Sequence, residues 1–154
     1  MLDLIIKNGK CYIDRQLKDT DISIKDGKIR NIGQITEEAK DTIDAKGLTV
    51  LPGCIDTQTH FREPGSTDTE DLHSGSRAAI AGGITAVFEM PNTNPPTSNK
   101  KEFQRKLDLA KNRMYCNYAF YFGATADNAN DLADLKNLEG CCGIKLFAGS
   151  STGN

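Results

Sequence analysis

Hydrophobic and polar positions follow two different rhythms along the chain. Residues 1–50 read as short strands with tight turns: "DLIIKNGKCYID" carries Asn8-Gly9 and "DISIKDGKIRNI" carries Asp26-Gly27, each flanked by β-formers. Both pairs tolerate the positive φ that type I′ turns need, so each predicts a hairpin. A third strand pair is expected around Lys46-Gly47 in "TIDAKGLTVLPG". Residues 1–50 are therefore expected to form a small β domain.

From residue 51 strands alternate with helices. The apolar entry "LPGCIDTQTH" is followed by "TDTEDLHSGSRAAIAGG", which predicts a helix with a capping box of Thr67 and Glu70 and a stop at Gly82-Gly83. "ITAVFEM" reads as a strand, and "SNKKEFQRKLDLAKNRM" puts Phe103, Leu107, Ala110 and Met114 on one helical stripe. "YCNYAFYF" is a third strand, "DNANDLADLKNLEG" a helix with Leu132, Leu135 and Leu138, and "CGIKLF" a fourth strand. This βαβαβαβ order predicts a parallel sheet with right-handed crossovers. A small open doubly wound sheet and half of a (β/α)₈ barrel both fit. A closed barrel does not, since it needs about 250 residues.

Composition narrows the class. With 38% hydrophobic residues and a formal net charge of -2, the chain has no signature of disorder, nucleic-acid affinity or membrane attraction. No apolar run is long enough to span a bilayer, and "MLDLIIKNGK" does not resemble a secretory signal. Cys11, Cys54, Cys116, Cys141 and Cys142 are odd in number and contain no CxxC, which excludes a disulfide framework and a zinc knuckle. Free thiols in a reducing cytoplasm are expected.

Candidate chemistry collects at the C-terminal ends of the strands, where parallel α/β folds place their sites. Read as a strand, "DTQTHFREPG" has a polar face of Asp56, Gln58, His60 and Arg62. Asn92 follows the second strand in "MPNTNPP", and Lys145 stands between Ile144 and Leu146 in a short apolar strand. Burial would lower that lysine's pKa toward a neutral amine, able to act as a nucleophile or to be carbamylated. Each residue also has an ordinary structural reading. His60 could be a hydrogen-bonded strand-end residue, Arg62-Glu63 a local ion pair, Asn92 a turn former, and Lys145 a lysine reaching solvent. Their placement at one end of successive strands is what argues for a site. The second histidine, His73, is expected on the surface.

In "LPGCIDTQTHFREPG", "SGSRAAIAGGITAV", "EMPNTNPP" and "GIKLFAGSSTGN" the chain resembles dihydroorotases of the amidohydrolase superfamily over essentially its whole length. The resemblance implies a (β/α)₈ barrel beside a small β-sandwich, one or two zinc ions, and reversible closure of N-carbamoyl-aspartate to dihydroorotate in pyrimidine synthesis. It makes His60 the second histidine of an HxH metal motif and Lys145 the carbamylated metal ligand. Arg62 and Asn92 become the residues that grip the substrate carboxylate. Gln58 replaces the first HxH histidine, and an amide oxygen is a much poorer zinc donor than an imidazole. The family's later histidines and its aspartate general base have no counterpart before Asn154.

Residues 51–154 are therefore expected to be a truncated half-barrel, inactive alone and weak or empty in zinc, with its first and fourth strands as open edges. The implied partners are a cyclic ureide substrate and either a complementary C-terminal fragment or aspartate transcarbamoylase, for which the chain would be a scaffold. An allantoinase-like cyclic ureide hydrolase is the alternative reading.

Overall fold

The computed structural model describes residues 1–149, so the last five residues of the "GIKLFAGSSTGN" motif lie outside it. The chain divides into two compact units, Met1–Pro52 and Gly53–Asn154.

In the first unit β1 (Leu2–Ile13) pairs antiparallel with β2 (Gln16–Lys25), which pairs with β3 (Lys28–Gly33). Asp26-Gly27, with φ of 51° and 71°, makes the β2–β3 turn as expected. Asn8-Gly9 does not make a hairpin. It lies inside β1 at a shift of register, and the β1–β2 turn falls at Asp14-Arg15. The same tolerance of positive φ serves a bulge here. Asn8, at φ 62°, donates its N–H to Asp21 Oδ1 at 3.0 Å and its side-chain amide to Asp44 Oδ1 at 2.9 Å. A Cβ on Gly9 would stand 2.8 Å from Val50 Cγ2, so the bulge also needs glycine for space. Nor do the strands around Lys46-Gly47 pair with each other: β4 (Ala39–Asp44) and β5 (Thr49–Val50) both run parallel to β1. Leu2, Ile5, Cys11, Ile22 and Ala45 form the buried interior of this unit.

Asp3 ties three pieces of this sheet together, accepting from Lys40 Nζ at 2.9 Å, Lys25 Nζ at 3.5 Å and the Asp26 N–H at 2.6 Å. The Lys40 hydrogen bond, then that of Asp26, hold its carboxyl down to about 2, from 3.8. A carboxyl depressed in the folded state contributes stability above its unfolded value and loses it as pH falls through the folded one. Acid unfolding followed by circular dichroism should therefore show stability dropping between pH 3.8 and about 2, and Asp3→Asn should flatten that limb.

In the second unit β6 (Cys54–Thr59), β7 (Ile84–Glu89), β8 (Asn117–Gly123) and β9 (Cys141–Lys145) are parallel and adjacent in chain order. A doubly wound sheet reverses its strand order at a switch point. This one does not, and it forms a half-barrel. Helices α1 (Leu72–Ala81) and α2 (Lys100–Ala110) cover the sheet over Phe61, Leu72, Val87, Phe103, Phe120, Phe122 and Leu135. The outer strands β6 and β9 leave Ile55, Ile144 and Leu146 exposed.

Two local expectations are corrected. Helix α1 is capped by Asp71 and Ser74, not by Thr67 and Glu70: the Ser74 N–H reaches Asp71 Oδ1 at 2.6 Å. The same short polar pattern recurs one turn later, and there Glu63 Oε2 takes the Leu72 N–H at 2.9 Å. The segment Ala129–Asn137 is a 3₁₀ helix. Leu132, Leu135 and Leu138 recur every third residue, which matches three residues per turn, and the intervening Asn and Asp residues are weak α-formers. Among the described residues no helix is long and apolar enough to cross a membrane.

Candidate functional site

Strand β6 ends at Thr59, one residue before the histidine. Thr59 closes the strand against its neighbour: its carbonyl takes the Met90 N–H at 3.0 Å and its hydroxyl donates to Phe88 O at 3.3 Å. The loops that leave β6 and β7 therefore start side by side. They are joined again where the Asn94 N–H donates to Pro64 O at 2.9 Å. The "REPG" and "MPNTNP" pieces are structural partners as well as sequence neighbours of the site.

His60 and Asn92 meet across that junction, with Nδ1 of the imidazole 3.0 Å from the amide Oδ1. An amide oxygen only accepts, so Nδ1 carries the proton and Nε2 keeps its lone pair. Burial of the ring, then the Arg62 guanidinium, hold the His60 pKa below its ordinary value, with Lys106 and Lys145 adding to this against the Asn92 hydrogen bond. The result is a neutral imidazole with one nitrogen available for ligation or proton transfer.

Arg62 does not continue the strand's polar face. Its φ is 60°, and Phe61 before it is buried in the core under helix α1. Gly75 makes that packing possible, since a Cβ there would stand 2.4 Å from Phe61 Cδ1. The local Arg62-Glu63 ion pair is not formed. Glu63 is buried and turned away, held by Arg113 at 2.7 and 3.1 Å as well as by the Leu72 N–H. The guanidinium of Arg62 instead lies within electrostatic reach of His60 and Glu89.

Lys145 is the last residue of β9 and is half-buried, with Ile144 and Leu146 exposed on either side. Its ammonium stands 5.1 Å from the Phe147 ring centroid. Lys145 is not enclosed as a lysine within a buried apolar strand would be. The buried lysine of this unit is Lys106, on α2, ion-paired to Glu89 at the end of β7. Neither residue was picked out by the sequence pattern. The available signal was a lysine three positions after Phe103 on the buried stripe, matched by a lone acid in the strand "ITAVFEM".

As metal donors the residues present are few. His60 offers Nε2, Gln58 an exposed amide, and Lys145 an amine; among the described residues no group of three His, Cys, Asp or Glu side chains could hold a metal. Cys142 adds no thiolate near neutrality, since burial, then Cys141, push its thiol up to about 11. Among the described residues this donor set is incomplete. What it provides is a wall of an oriented imidazole and an amide, with Arg62, Lys106 and Lys145 as the cations within electrostatic reach.

Residues 49–143 match the family model described as the amidohydrolase family. The chain belongs to the amidohydrolase family. Among curated relatives, allantoinase of Escherichia coli O1:K1 / APEC is 42% identical over 146 residues, covering 94% of this chain and 32% of that protein. Allantoinase of Salmonella choleraesuis (strain SC-B67) is 41% identical over the same length. Among solved structures, L-hydantoinase (dihydropyrimidinase) from Arthrobacter aurescens superposes with a TM-score of 0.88 at 32% identity, over 99% of this chain and 35% of that one. A D-hydantoinase crystal structure gives 0.77 at 35% identity, over 92% of this chain and 32% of its own. The chain spans about a third of the length of the curated relatives it matches. These relatives carry the superfamily assignment and point to allantoinase and hydantoinase in place of the dihydroorotase that the motifs suggested. They give no support to a complementary fragment or a transcarbamoylase partner.

Proposed function

We propose that this chain carries part of the substrate site of a cyclic ureide amidohydrolase of the allantoinase type. The observation that carries the reading is the His60–Asn92 pair at 3.0 Å, which leaves an imidazole nitrogen available at the strand ends. The 42% identity to allantoinase supports the substrate class. Zinc enters this proposal from the family resemblance alone, with His60 and carbamylated Lys145 as the ligand positions this chain supplies. In such enzymes a metal activates water and polarises the amide carbonyl. The chain's own residues bind and orient: Asn92 fixes the imidazole, and Arg62 sets the charge of the wall that the ring faces.

Arg62 separates the allantoinase reading from the dihydroorotase one. Dihydroorotate carries a carboxylate that a guanidinium can grip, whereas allantoin and the hydantoins are neutral rings. Binding of allantoin, a 5-substituted hydantoin and dihydroorotate is followed by chemical shifts in the ¹⁵N-labelled chain. The neutral ureides should move the His60 and Asn92 signals, and His60→Ala should weaken them about tenfold, the loss of one good polar contact. Tighter binding of dihydroorotate, lost on Arg62→Gln, would return the assignment to dihydroorotase. No response to any of the three rings would remove the ureide reading.

A further inference from the structure

Beneath the site lie two charged side chains for which ureide binding has no direct use. Glu89 is 1% exposed and Lys106 0% exposed, and they are ion-paired. Removing two charges from water is costly, and a buried ion pair can commonly be replaced by apolar side chains with no loss of stability. Packing alone therefore does not explain them.

Their remaining bonds do. Glu89 ends β7 opposite Thr59, the residue before His60, and the N–H of the next residue, Met90, donates to Thr59 O at 3.0 Å. The Lys106 ammonium donates to the carbonyl of Met90 at 2.9 Å, two residues before Asn92. One continuous chain of contacts thus runs from the Thr59 carbonyl before His60, through the Met90 peptide that leads to Asn92, to the Lys106 ammonium and the Glu89 carboxylate. Lys106 brings α2 into the same unit, and its ammonium stands 5.1 Å from the Phe120 ring centroid. Both loops are gripped by their backbones, next to the two side chains that meet at 3.0 Å.

We propose that Glu89 and Lys106 are positioning residues of this site: through Met90 and its bond to Thr59 they hold the two loops at the spacing that keeps His60 Nδ1 on Asn92 and leaves Nε2 available. The use made of Nε2 rests on the amidohydrolase reading above. The spacing itself does not.

The test is made on the full chain without metal or substrate. The His60 tautomer is read by long-range ¹H–¹⁵N NMR, and His73→Gln assigns the second imidazole. In the unmodified chain His60 should be the Nδ1–H tautomer. The variant Glu89→Leu with Lys106→Met replaces the pair by apolar side chains of similar size. It should fold, yet show averaged His60 tautomers, a change that a purely structural pair would not cause. A folded double variant with the unmodified chain's His60 signal would overturn the proposal. A second measurement decides the matter if the variant does not fold: amide exchange at Met90, whose N–H donates to Thr59 O, in the unmodified chain. It should be at least about a hundredfold slower than at exposed Thr67, as expected of a buried hydrogen-bonded amide. Equal rates would overturn the proposal. Because neither readout involves ureide or zinc, a failed substrate assignment leaves this result standing, and the reverse also holds.

Discussion

Lys106→Met should destabilise the Gly53–Asn154 unit by about 3–5 kcal/mol at pH 8, the cost of leaving one member of a buried ion pair alone. Methionine keeps most of the stem that packs near Phe120, so the loss belongs to the ammonium and its two contacts. Burial already pushes the Glu89 carboxyl up to about 7, from 4.5, against the downward pull of Lys106. Without that pull it rises further. A carboxyl raised in the folded state contributes its stability below the unfolded value and loses it as pH rises through the folded one. The variant's deficit should therefore shrink on going from pH 8 to pH 5, where Glu89 is buried as the neutral acid. Urea unfolding at the two pH values measures this. A deficit below about 1 kcal/mol, or one equal at both pH values, would mean that the pair contributes as packing and not as charge.

The difference between Lys106 and Lys145 explains much of what the sequence could and could not reveal. Both are lysines at apolar positions, and the sequence singled out Lys145 because its strand neighbours Ile144 and Leu146 are aliphatic. Those neighbours are exposed and the lysine is only half-buried. Lys106 looked like one more charge on a polar helix. Its burial depends on Glu89, seventeen residues away in another element, and no local pattern encodes such a pairing. Asn8-Gly9 shows the same limit on a smaller scale. The dipeptide announced a positive φ correctly, but whether that φ closes a turn or makes a bulge depended on Asp21, Asp44 and Val50. The strand-end cluster was legible because fold class alone places it. His60 and Asn92 close two successive parallel strands, and such strand ends converge whatever the loops do.

Phe103→Ala should cost the second unit about 3–5 kcal/mol, the range for truncating a buried aromatic. The ring is 0% exposed and packs on two others, with centroids 6.5 Å from Phe120 and 6.0 Å from Phe122. Helix α2 makes the loss severe. Its fully buried residues are Phe103, Lys106 and Ala110, with Leu107 and Leu109 partly buried against the same cluster, so the phenyl ring is the largest apolar group that docks it. Eleven residues make too short a helix to persist on propensity alone. Phe103 also sits one turn before Lys106, and loosening that turn frees the ammonium that grips Met90. Phe103→Leu, which fills most of the space, should cost less than about 1.5 kcal/mol and leave the His60 tautomer as it is. Phe103→Ala should both lower the urea midpoint and blur that tautomer. A variant that loses stability with an unchanged His60 signal would separate the core from the site. A variant that loses less than about 2 kcal/mol would show that Phe120 and Phe122 close over the cavity. Loss of both together would mean that the helix face which folds this unit is also the one that sets its imidazole.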